Sequence, residues 1–191
     1  PEEDKLGIRG TSTTELVFDN CRVPAGNLVG ERGQGLKIAL SAIDGGRLGI
    51  ASQAVGIAQA ALDRAIHYAL ERKQFGRPIA DYQMVQWKIA DMATRIAASR
   101  ALLHKGCWLR SIGERSLHIP AMAKLFSAET ASYCAAQAVQ IFGGMGYCRE
   151  SEVERYLRDA KITEIYEGTS EMQRLTIARS LIKDPDRVGD V

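Results

Sequence analysis

From about Gln34 onward the apolar residues recur every three or four positions, and this one periodicity confines the chain to a helical fold. A first long run over residues 35–70 carries Leu36, Ala39, Leu40 and Ile43, then Val55, Ala58, Leu62, Ala65, Ile66 and Ala69, with a bend expected at Gly45-Gly46. A second, over about 82–109, sets Val85, Ile89, Met92, Ile96 and Leu103 on one face and Lys88, Arg95 and Lys105 elsewhere. A third starts at Pro120, a good first-turn residue, and runs alanine-rich to Phe142 before Gly143-Gly144 end it. Ser151 with Glu154 reads as the cap of a shorter helix, and Ser170 with Gln173 as a capping box opening a last one to Ile182. Long helices, short turns and small contact residues predict an antiparallel four-helix bundle over 31–183, followed by a frayed tail at 184–191.

The first thirty residues differ. Residues 13–23 are β-branched and aromatic and stop at Pro24, so they read as a strand. One or two strands form no stable sheet alone, and the chain opens on Pro1 rather than methionine. The expectation is therefore the end of a β domain at 1–30, belonging to a longer protein. A chain of 191 residues with 46% hydrophobic residues is long and apolar enough for one globular core. The net charge of +2 is interspersed, leaving no footprint for nucleic acid or an anionic membrane, and no apolar run reaches the ~18 residues of a membrane span. The expected location is bacterial cytoplasm or mitochondrial matrix. Cys21, Cys107, Cys134 and Cys148 lack metal-site spacing and read as reduced core thiols.

The chemistry-bearing residues are few. Glu167 falls between two helices, where the free N–H groups of the following helix face it and any neighbouring anion, an arrangement that suits a general base beside an oxyanion hole. The same residue could simply solvate a loop. Gln140, Gly143, Gly144 and Gly146 follow a helix and so form no dinucleotide phosphate loop; alone they read as a helix C-cap. Arg72 and its neighbours up to Gly76 could be a charged helix end, and Asp44 with Arg47 an i,i+3 ion pair.

Taken in order, these features resemble the C-terminal half of the acyl-CoA dehydrogenase family across essentially the whole chain. The most specific stretch runs from Gln140 through Gly143, Gly144, Gly146, Tyr147, Glu150 and Arg155 to Asp159, then Tyr166-Glu167-Gly168-Thr169; the segment Lys5 to Gly10 also looks like the end of that family's middle β domain. The resemblance implies FAD-dependent α,β-dehydrogenation of an acyl-CoA, with Glu167 as base and the substrate carbonyl held by the backbone N–H at Glu167. It assigns Asp44, Arg47 and Gly168 to the substrate. It assigns Arg72, Phe75, Gln83, Gln140, Gly143 and Gly144 to the FAD of a neighbouring subunit, and Thr169, Ser170 and Glu171 to the flavin beside the base. It implies a homodimer or homotetramer, with electron-transfer flavoprotein as electron acceptor. Isovaleryl- and long-chain types carry their base just before the arginine that Arg47 matches; here Gly46 stands there and the loop keeps Glu167, as in short-chain and butyryl-CoA dehydrogenases. A non-catalytic helical assembly module and an acyl-CoA oxidase are the rival readings.

Overall fold

A computed structural model describes residues 2–114 and 116–186, apart from the side chain of Asp44. Three long helices, α1 (Gly35–Glu71), α2 (Gln83–Ser111) and α3 (His118–Phe142), pack with two shorter ones, α4 (Val153–Thr163) and α5 (Ser170–Lys183). The last two share the fourth place in the bundle, and α3 packs against all four other helices. No helix among the described residues is long and apolar enough to cross a membrane.

The core is built on alanine. Ala54, Ala58, Ala61, Ala65 and Ala69 form a fully buried stripe on α1, at spacings of three and four that keep one face toward a neighbour. Ala131, Ala135 and Ala138 do the same on α3 and join the same apolar cluster, which Met92 and Ile96 of α2 complete. Side chains this small let the helices pack at the short end of the ~8–10 Å interaxial range. At the other end of α1, Leu48 lies over Gly106 of α2, where a Cβ would come within 2.6 Å of a Leu48 methyl.

Several expectations need correction. The helix does not break at Gly45-Gly46: α1 runs uninterrupted for 37 residues, because packing against α2 and α3 outweighs the low helix propensity of glycine. Its first turns do not reach the core, and Leu36, Ala39, Leu40 and Ile43 are exposed. Residues 13–23 form no strand: Glu3 N donates to Thr13 O at 3.0 Å, but this single bond is not extended into a ladder among the described residues, and Leu16, Val17 and Phe18 are exposed. The described sheet is instead a two-residue ribbon, β1 (Lys73–Gln74) with β2 (Arg77–Pro78), closed by Phe75 and Gly76 in left-handed conformations. The cap of α4 is Glu152 and that of α5 is Thr169, whose hydroxyl accepts from Met172 N at 3.4 Å. Of the four cysteines only Cys134 is a core thiol, pushed up to about 12 by burial; Cys21, Cys107 and Cys148 are exposed. Within the expected tail, residues 187–191 lie outside the described chain.

The N-terminal segment docks on α4. Ile8 N donates to Asp159 Oδ1 at 2.6 Å, and Arg158 Nη1 donates to Leu6 O at 3.1 Å. Gly7 between them has no room for a Cβ, which would run into the Arg158 carbonyl. Glu154 holds Arg158 in place through Nε at 2.6 Å and Nη2 at 3.0 Å, and the guanidinium keeps the Glu154 carboxyl below the ordinary glutamate range. A carboxyl lowered in the folded state stabilises above its unfolded value of about 4.3, and that contribution is lost as pH falls through the lower folded value. The melting temperature of Glu154→Gln should therefore lie below that of the unaltered protein at neutral pH, with the gap closing in acid. A gap independent of pH would show that the ion pair is not its source.

Candidate active site

The break between α4 and α5 is held at both ends. Glu164 closes α4: its carboxylate accepts from Ser132 and from Lys161. Burial raises its pKa, but those two bonds outweigh burial and keep it below the ordinary range. Ser170 N returns to Glu164 O at 2.9 Å, closing a loop whose two ends lie six positions apart. Inside that loop Glu167 has φ 53° and Gly168 φ 88°. A left-handed residue with a Cβ costs about 1–2 kcal/mol, so Glu167 is held there by its surroundings.

Those surroundings are specific. Gln173, buried on α5, donates through Nε2 to Glu167 O at 3.1 Å and to Gly168 O at 2.8 Å. Gln173 thus acts at the loop, as the sequence spacing implied, but through carbonyls rather than as the partner of a Ser170 cap. Lys124, fully buried on α3, donates through Nζ to the same Gly168 carbonyl at 2.8 Å. Burial pulls its ammonium below the ordinary lysine range, and Arg47 adds to the depression, while Glu164, Glu171 and Glu167 oppose it. The Tyr166 hydroxyl donates to Gln53 Oε1 on α1 and ties the loop to that helix.

So held, the Glu167 side chain lies against α1 at Gly46. A Cβ on residue 46 would stand 2.6 Å from Glu167 Oε2, so glycine is required for the carboxylate to take this place. Oε2 is buried and has no hydrogen-bond partner among the described residues. A buried acceptor left without a donor costs free energy unless a bound group supplies one. Arg47 is the next residue along α1, and Arg110 of α2 donates to the Gly45 carbonyl at 3.2 Å.

The sequence-derived residues fall into two groups. Arg47, Glu167, Gly168, Thr169, Ser170 and Glu171 meet at the loop; the Asp44 side chain, expected with them, lies outside the described residues. Ser170 is buried with an unpartnered Oγ, and Glu171 is exposed. The other group lies at the far end of α1, where Arg72 follows the last helical residue, roughly 39 Å from Gly46 at about 1.5 Å per residue. There Arg72, Gly143 and Gly144 line one shallow recess with Tyr68 and Phe142, whose rings stack at 4.0 Å. Phe75 stands 93% exposed on its ribbon turn, Gln140 is exposed at the end of α3, and Gln83 lines a neighbouring apolar recess with Trp87.

Sequence reasoning passed over Lys124 and the carbonyl contacts of Gln173. The signal for Lys124 was present: it sits three residues after Ala121 and four before Ala128, in register with the buried alanines of α3. A lysine there is either paired or wrongly placed.

The acyl-CoA dehydrogenase C-terminal domain profile matches residues 33–182, and the chain belongs to this family. It is 51% identical over 182 residues to the human mitochondrial short-chain specific acyl-CoA dehydrogenase, covering 95% of this chain and 44% of that protein. It is likewise 51% identical over 181 residues to the acryloyl-CoA reductase (NADH) of Anaerotignum propionicum, covering 95% and 46%. Butyryl-CoA dehydrogenase from Megasphaera elsdenii superposes with a TM-score of 0.93 at 46% identity, covering 95% of this chain and 48% of that one. The chain thus spans about half the length of the relatives it matches.

Proposed function

We propose that the protein to which this chain contributes oxidises a short- or medium-chain acyl-CoA to the trans-2-enoyl-CoA, with Glu167 as the general base. The observation that carries this reading is the unpartnered, buried Glu167 Oε2, presented on left-handed backbone against Gly46. Glu167 takes the proton from C2 of the thioester while its backbone N–H holds the carbonyl oxygen, on which negative charge develops as the C–H bond breaks. When bound, FAD accepts the hydride that leaves C3. Arg47 and Asp44 hold the CoA portion, beside Gly168. Thr169, Ser170 and Glu171 face the flavin at the N-terminus of α5, where the positive end of the helix dipole suits an anionic cofactor.

The fit of the second group to FAD rests on its chemistry. An exposed aromatic ring, Phe75, stands three residues from a cation, Arg72, beside the accessible backbone of Gly143 and Gly144. Such a set can stack on a flat ring and pair with phosphate. Its distance from Glu167 along α1 supports assigning it to the FAD of a neighbouring subunit, in a homodimer or homotetramer. Arg72→Ala should then weaken flavin binding and assembly together, because each stabilises the other by mass action. Flavin loss that deepens on dilution is the expected result; loss independent of protein concentration would place Arg72 against its own subunit's cofactor.

Electron-transfer flavoprotein is the proposed acceptor, in bacterial cytoplasm or mitochondrial matrix. The identity to a reductase favours one second reading, in which protonated Glu167 returns its proton to C2 of an enoyl-CoA. The two directions share every residue named above. Comparing anaerobic enoyl-CoA reduction driven by NADH with acyl-CoA oxidation by a dye acceptor separates them.

A further inference from the structure

We propose that Lys124 is a positioning residue for the base, fixing the backbone of the Glu167-Gly168 loop so that the carboxylate is delivered to Gly46. The inference rests on the reading of Glu167 as base. Two consecutive residues of this loop are left-handed, at φ 53° and 88°, and only the second is glycine. Such a conformation persists only where its surroundings over-determine it. The restraints are few and named: Gln173 from α5 on the carbonyls of both residues, and Lys124 from α3 on the second. Lys124 is 0% exposed and reaches the loop from α3, so it ties Gly168 to the helix that packs against all four others. Glu167 comes from the chain break and Gly46 from α1; Lys124 ties the break to the third element packed between them.

A buried ammonium is a costly way to make one hydrogen bond. A lysine placed only for stability would be replaceable by an apolar residue of similar length with little effect on chemistry. A positioning lysine would not, because a displacement of about 1 Å at a reacting group can cost about 10²-fold in rate.

The test uses the full-length, flavin-loaded protein with butyryl-CoA. Lys124→Met keeps the length and removes the donor; Lys124→Arg keeps donor and charge. For Lys124→Met we expect kcat per bound flavin to fall at least about tenfold with KM changed by less than about threefold, as expected when transition-state geometry rather than binding is lost. The isotope effect with C2-deuterated substrate should rise as proton abstraction becomes slower than the other steps. Lys124→Arg should recover part of kcat. Should Lys124→Met fail to load flavin, Gln173→Leu removes the other donor from the same carbonyl and is read by the same two quantities. Normal kcat per flavin and an unchanged isotope effect, with only melting temperature or yield reduced, would overturn the proposal in either variant. Glu167→Gln run alongside separates the failures. If it stays active, the base assignment is wrong; if it is inactive while Lys124→Met is normal, only the positioning role falls.

Discussion

Glu167→Gln in the full-length protein is expected to lose about 10²–10⁴-fold in turnover of butyryl-CoA, the usual worth of a positioned general base. The substitution keeps the size of the side chain and both of its attachment points, because Gln173 and Lys124 hold the loop through backbone carbonyls and not through the carboxylate. Flavin content and fold should therefore be retained. Stability should hold or rise slightly, since Oε2 is a buried acceptor without a hydrogen-bond donor among the described residues. Turnover near that of the unaltered protein, or a loss fully explained by missing flavin, would remove Glu167 from the role of base.

Gly46→Ala should separate stability from activity in the opposite sense. Alanine in a helix interior is favoured over glycine by about 0.8–1.0 kcal/mol, and residue 46 lies well inside α1, so propensity alone would stabilise the protein. Yet the added methyl would stand 2.6 Å from Glu167 Oε2 and 2.9 Å from the carboxyl carbon, closer than real Cβ atoms approach anything. The carboxylate must move, since the helix backbone behind the methyl cannot. A shift of about 1 Å at a reacting group is enough for about a 10²-fold loss. The expected outcome is a helical protein of equal or higher melting temperature whose kcat falls by one to two orders of magnitude, and Gly46→Val should fall further. Full activity in Gly46→Ala would mean that Glu167 does not work from the place it occupies in this structure.

How far the sequence foretold this arrangement depended on what each feature needs. The long helices declare themselves in their own periodicity, and all five helical segments lie near their expected bounds. Features that depend on a partner were read less well. The β-branched run at 13–23 has strand propensity, but a strand is made by its neighbour, and no described residue supplies one. Gly45 and Gly46 carry the local signature of a bend; their actual service is to let Arg110 and Glu167 come close, a contact between residues 65 and 121 positions apart. The caps of α4 and α5 each fell one residue from the expected place: the Ser151 hydroxyl turns to the Cys148 carbonyl, and at α5 the Thr169 hydroxyl takes the capping bond. Glu167 was found by its place between helices and by the family resemblance. Lys124 was missed because its meaning lies in Gly168, 44 positions away.

The most direct test of Glu167 as the group that moves the C2 proton follows that proton itself. Butyryl-CoA is incubated with the full-length, flavin-loaded protein in D2O, without oxygen or electron acceptor, and deuterium at C2 is read by mass spectrometry. The unaltered protein should exchange C2 hydrogen for solvent deuterium through reversible transfer to Glu167. Glu167→Gln, matched for bound flavin, should exchange about 10²–10⁴-fold more slowly. Deuterium entering C2 at the same rate in both proteins would contradict the account.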